Sequence, residues 1–382
     1  MARLAFSPTE FEVVGMYPGI ERFAVVGKQI TIPESPKFNR PISVKENWRL
    51  LFEGKKPYWI PSTGWVFCDQ CQFRPRINPD NVANHQIFDG GPSVDYDTFP
   101  KVMHSSWFDL DWEWEYDISG ATVRPGNPKI KDINRWEDYV SLPNLDDLDW
   151  ELYKEENQSY LKIDKLTELG IQMSLWERLM CLMDVDNAAM ALIDDDQKEG
   201  VHRFFDKLCN FYDDYIGRMA DRFDFDCVYV HDDWAHQNGP FFSADTAREM
   251  LLPYLKRLVE SAHKRGLYYE HHSCGKAELL VPVFIEAGVD IWCGQPAINN
   301  QDMLAQKYKD QPIVIGVGNP PIPLDATDNE LQRIAKDWVE RYKDCRVGSM
   351  FGFDPNYGHL AFQKFVNYVY EYSRIAYQDV EE

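Results

Sequence analysis

Residues 228–275 read VYVHDDWAHQNGPFFSADTAREMLLPYLKRLVESAHKRGLYYEHHSCG and hold one strand–helix–strand unit. The apolar run Cys227–Val230 stops abruptly at His231, Asp232 and Asp233. Ser243 is a helix N-cap, with Asp245 in the first turn. From Asp245 to His263, Ala247, Leu251, Leu255, Leu258 and Ala262 recur at spacings of three and four, which predicts one amphipathic helix. A second apolar run, Leu267–Tyr269, ends in Glu270, His271, His272, Ser273, Cys274 and Gly275. Two strands joined through a helix of this length run parallel.

The same alternation extends in both directions. Apolar runs occur at Ile171–Leu175, Val289–Trp292, Ile313–Val317 and Gly348–Phe353, with helical patterns over Val201–Met219 and around Phe362, Phe365, Val366 and Val369. About seven or eight such units predict an α/β chain closed as a (β/α)8 TIM barrel, with a first strand near Tyr58–Ser62. The expected division is a loop-rich N-terminal extension over 1–55 and a barrel over 56–382, with a long insertion at about 65–160. Barrel enzymes carry their chemistry at the C-terminal ends of the strands.

Composition narrows the partners. Of the 382 residues, 44% are apolar, which is enough for a sizeable core, and the formal net charge is −22. An acidic surface repels nucleic acid and anionic lipid, so neither is an expected partner. The N-terminal MARLAFSPTEFEVVG lacks a basic segment followed by an apolar one, and no stretch approaches the roughly 20 apolar residues of a membrane span. The expected location is cytoplasmic, where the eight cysteines are thiols.

Two strand ends carry the chemistry. His272 and Cys274 are two apart, so on a strand they share a face and can reach one ion; imidazole and thiolate suit zinc. The competing role for that pair is a backbone-bonded histidine beside an inert thiol. His231 and Asp232 are candidates for positioning or protonating a substrate. Adjacent carboxylates point to opposite sides, and Asp232 is preferred over Asp233 for the pocket; helix capping or a rim ion pair is the alternative. Trp65, Phe67 and Trp234 are candidate substrate-binding aromatics, with core packing as the alternative. Cys68 and Cys71 form a CxxC without a second pair, which is no zinc ribbon.

The stretch 228–296, with H-S-C-G at 272–275 and E-A-G-V-D at 286–290, resembles the uroporphyrinogen decarboxylase family, as do PISVKENWRLLFEGKKPYWIP at 41–61 and LWERLMCLMDVDNAAMAL at 175–192. The family includes decarboxylases, whose first mouth loop is rich in arginine, and zinc methyltransferases that work with corrinoid. Here the loop reads Ser62-Thr63-Gly64-Trp65-Val66-Phe67, neutral and aromatic, unsuited to a polyanion. The resemblance therefore implies transfer of a methyl group from a small methylated donor, such as an aromatic methyl ether, to a corrinoid protein, with zinc as cofactor. It also implies a third metal ligand near the last strand, which falls at Asp354, with Cys345 and Glu270 as competitors. A porphyrinogen-type decarboxylase and a non-catalytic ligand-binding barrel are the rival readings.

Overall fold

A computed structural model of the chain describes residues 3–25, 28–32, 34–63, 69–73, 101–105, 107–115, 120–152, 154–155, 163–171, 173–351, 354, 356 and 358–379. The N-terminal region forms β1 (Val13–Tyr17), β2 (Ile20–Val25), β3 (Lys28–Ile32) and β4 (Ser35–Phe38), paired β1 with β4 and β2 with β3, and then α1 (Val44–Phe52). Next come β5 (Gln70–Phe73) and an antiparallel sheet of β6 (Val102–Ser105), β7 (Leu110–Glu115) and β8 (Gly120–Val123). The alternating part runs β9 (Leu166–Ile171), α2 (Trp176–Met183), α3 (Val185–Ala191), α4 (Lys198–Ala220), β10 (Cys227–His231), the small hairpin β11 (Ala235–His236) and β12 (Gly239–Pro240), α5 (Ala244–Met250), α6 (Leu252–His263) and β13 (Tyr268–Ser273). It ends with α7 (Val281–Ala287), β14 (Ile291–Gly294), α8 (Gln301–Lys307), β15 (Val314–Val317), α9 (Asp328–Tyr342), β16 (Val347–Ser349) and α10 (Leu360–Tyr377).

Seven strands form one parallel sheet in the order β16-β15-β14-β13-β10-β9-β5. Ser62 supplies the next rung through a parallel bridge to Ser349. At the seam the Asp69 N–H donates to Ser62 Oγ at 3.0 Å, and the Ser62 N–H donates to Asp69 Oδ2 at 3.2 Å. The sheet thus curls back on itself, and the fold is the expected TIM barrel. One apolar layer lies between strands and helices; α4 alone buries Val201, Phe204, Leu208, Tyr212, Tyr215 and Met219. A second cluster closes the N-terminal end of the barrel. There Val44, Trp48 and Leu51 of α1 pack with Leu166, Cys227, Ile291 and Val314, the first residues of four strands. Trp48 sits so close to Gly348 that a Cβ there would lie 2.9 Å from its ring.

Two local readings change. The single helix expected over Asp245–His263 is broken at Leu251, because Pro253 occupies the first turn of a new helix and has no N–H to continue the old one. The apolar run Ile171–Leu175 lies mostly beyond β9, which is Leu166–Ile171, because a buried strand carries no alternation to mark its ends.

The N-terminal region is tied to the last helix by a buried ion pair. Glu10 Oε2 accepts from Arg374 Nε at 2.8 Å and from the Tyr370 hydroxyl at 2.5 Å, while Oε1 accepts from Arg374 Nη2 at 2.8 Å. Burial pushes the Glu10 carboxyl up, and the Arg374 and Tyr370 hydrogen bonds outweigh it, leaving it below its ordinary value. Glu10→Gln is expected to destabilise the fold by about 3 kcal/mol at neutral pH, since it leaves a buried guanidinium uncompensated. A carboxyl with a depressed folded pKa stabilises above its unfolded value, so the deficit should narrow as pH falls below about 4 in parallel urea titrations of the two proteins.

Candidate metal centre

β10 and β13 are neighbours in parallel register, with Cys227 opposite Tyr268 and His231 opposite His272. Side chains two apart share a face, so Tyr229 and His231 on one strand point to the same side as Glu270 and His272 on the other. The imidazole rings of His231 and His272 stack at 4.9 Å. Asp233 and Cys274, two residues beyond each histidine, stay on that side. His272 Nε2 lies 3.3 Å from Cys274 Sγ, which is 3.9 Å from His231 Nε2, and Asp233 Oδ1 is 3.7 Å from that same nitrogen. All four donor atoms lie within 4.8 Å of one another. A tetrahedral zinc with bonds of about 2.0–2.3 Å needs its donors roughly 3.3–3.8 Å apart. The donor types fit that ion, and the separations of 3.3, 3.7 and 3.9 Å lie close to its range.

Three of the expected roles change. Asp232 is fully buried away from the cluster. Its carboxylate accepts from Ser174 Oγ at 2.8 Å, from the backbone N–H groups of Leu175, Trp176 and Glu177 at 3.2, 3.3 and 2.8 Å, and from Trp234 Nε1 at 2.9 Å. It caps the start of α2, and Asp233 takes the place in the cluster expected for it. Trp234 is also fully buried, packed with Phe242, His271 and Phe284, and so belongs to the core. Asp354 is not among the clustered residues; its Oδ2 accepts from Asn319 Nδ2 at 2.9 Å. Nor are its competitors. Cys345 is buried just before β16, and Glu270 accepts from Gln70 Nε2 at 2.9 Å in a barrel interior that also holds Glu168, 2.6 Å from the same nitrogen. Trp65, Phe67 and Cys68 lie outside the described residues.

One residue near the cluster carries no signal in the sequence. Glu177, in the first turn of α2, places Oε2 2.9 Å from His231 Nδ1. Burial pushes its carboxyl up, with His231 opposing the rise and the Asp233 charge adding to it. Burial alone would lower the His231 imidazolium, but Asp233 and Glu177 outweigh it and raise the ring well above its ordinary value. Burial and Asp233 also push the Cys274 thiol up to about 11. Nothing comparable holds His271, which faces the helices and is kept neutral by burial.

The sequence model described as "Uroporphyrinogen decarboxylase (URO-D)" matches residues 126–375, a span that includes all four clustered residues. The chain belongs to the uroporphyrinogen decarboxylase family. No curated protein matches it in sequence. Among solved structures, this family member is similar to a methyltransferase from Methanosarcina mazei, with a TM-score of 0.53 and 14% identity over 86% of this chain and 98% of the other. At that identity the likeness speaks for the fold. A structure of the IOLI protein with a binding zinc atom overlaps at a TM-score of 0.31, with 11% identity over 62% of this chain and 85% of that one, too loosely to bear on either fold or site.

The turn after Cys274 has little tolerance. Gly275 has φ +78°, and a Cβ there would lie 2.3 Å from the Ala235 carbonyl oxygen of the β11–β12 hairpin. Gly275→Ala is expected to cost about 2–4 kcal/mol in thermal or urea unfolding, since backbone strain and a backbone collision add.

Proposed function

We propose that the protein is a methyltransferase that moves a methyl group from a small methylated donor to the cobalt of a corrinoid protein. Zinc would be held by His231, Asp233, His272 and Cys274. The observation that carries this reading is the convergence of two imidazoles, a thiol and a carboxylate at the mouth end of adjacent barrel strands. Two anionic and two neutral donors balance a dication, and sulfur with imidazole favours zinc over magnesium or calcium. Bound there, zinc would supply Lewis-acid polarisation of the methyl-bearing atom of the donor, which would require a fifth coordination position or the displacement of one of the four protein ligands.

The chain's own groups do the rest. His231 and His272 lie on a rigid sheet and keep their spacing. The Cys274 N–H donates to Asp233 Oδ1 at 2.5 Å, which fixes the carboxylate beside the thiol. In the overall reaction the bond between methyl carbon and heteroatom breaks, with its electron pair staying on the heteroatom, which takes up a proton. The new carbon–cobalt bond uses the electron pair of cobalt(I). The neutral loop at 62–67 suits an uncharged donor better than a porphyrinogen with its many carboxylates. An aromatic methyl ether fits this description, and catalysis at the cluster replaces the roles expected for Asp232 and Asp354.

Two measurements test the reading. Metal analysis of the purified protein should find one zinc per chain, lost in His272→Ala and in Cys274→Ser. Incubation of methylated donors with a cobalt(I) corrinoid should change the cobalt absorption spectrum with the wild type only. A wild type without zinc, or carbon dioxide release from uroporphyrinogen, would overturn it.

A further inference from the structure

Glu177 and Asp232 belong to different elements, yet their contacts link the same two segments, the end of β10 and the start of α2. Asp232 follows His231 on the strand and points to the helix side, where it takes three backbone N–H groups at the start of α2, the Glu177 N–H among them at 2.8 Å. Glu177, placed by that contact, turns its side chain back to the barrel and meets His231 Nδ1 at 2.9 Å. His231 and Asp232 therefore hold Glu177 from both ends, one by its side chain and one by its backbone. The helix start cannot shift along its axis without breaking one of the two contacts. The Trp234 indole and the Ser174 hydroxyl also bind the Asp232 carboxylate, so this anchor is fully hydrogen-bonded and does not swing.

An imidazole has two nitrogens, and a metal takes only one. Which one is free depends on what the other donates to. Here a carboxylate stands at Nδ1, while Cys274 Sγ and Asp233 Oδ1 face Nε2 at 3.9 and 3.7 Å. We propose that Glu177 is a positioning residue of the metal centre, which accepts the Nδ1 proton of His231 and so leaves Nε2 as the atom aimed at the ion, with Asp232 holding Glu177 in place. This rests on the zinc reading above and names a part of the site that touches no ion.

The test uses the full-length chain and zinc alone, with affinity read by competition against a chromophoric chelator and geometry read from the absorption bands of the cobalt(II)-substituted protein. Glu177→Leu should weaken zinc by about 10–100-fold and alter the cobalt bands. Glu177→Gln keeps an oxygen that accepts from Nδ1–H without the charge, and should recover most of the affinity, within about fivefold of wild type, and the wild-type bands. Asp232→Asn leaves all four ligands and Glu177 unaltered, and should weaken zinc in the same direction. Wild-type affinity and unchanged bands in Glu177→Leu would overturn this inference alone. If Glu177→Leu does not fold, Glu177→Ala, which also removes the acceptor, decides it by the same two readouts, and wild-type affinity with unchanged bands there would overturn the inference. A wild type that binds no zinc would overturn this inference together with the reading beneath it.

Discussion

His231 and His272 sit on matched rungs of a parallel ladder, and the site is built on that register. Sliding either strand by one residue would turn its histidine into the helix layer and bring the next residue, Asp232 or Ser273, to the barrel side, since side chains alternate strictly. The placement of the two imidazoles thus follows from the backbone ladder between β10 and β13. The two donors beyond the strand ends have no ladder to hold them. They are held by each other, through the Cys274 N–H on Asp233, and by the Trp234 N–H on Ser273 Oγ at 3.0 Å.

The charges around this register have a single logic. Glu177, Asp233 and the Cys274 sulfur crowd one imidazole in a poorly hydrated setting, where like charges cannot all ionise at ordinary cost. Burial shifts the Glu177 carboxyl and the Cys274 thiol toward their protonated forms, and Asp233 and Glu177 do the same to the His231 ring against its burial. A divalent ion removes the need for those protons. The neighbouring interior, where Gln70 bridges Glu168 and Glu270, meets the same difficulty with an amide.

Much of this was legible in the sequence, and the gaps have physical causes. The barrel followed from alternation of runs and stripes. His272 and Cys274 were legible because spacing on one strand is a local property. That one of two adjacent aspartates faces the site was also legible, but which one depends on strand parity, and the strand end could not be placed to a single residue. Asp354 was assigned by counting along the chain, whereas the remaining donors came from the neighbouring strand, a relation that pairing creates and sequence distance hides. Glu177 lies 54 residues from its partner in an ordinary-looking helix start, so no spacing rule could single it out. Trp234 looked like a pocket residue because aromatic character does not distinguish the two faces of a strand.

The helix that closes the N-terminal end of the barrel has a consequence for timing. With Trp48 and its neighbours packed beneath the first residues of four strands, that end of the barrel is filled by side chains, and the cluster lies at the opposite end. On the proposed reading, the small molecule must settle inside before a bulky protein covers the rim, and the spent fragment must wait for that cover to lift. Compulsory order of arrival and departure would then be a property of the plug, set at the far end of the barrel from the chemistry.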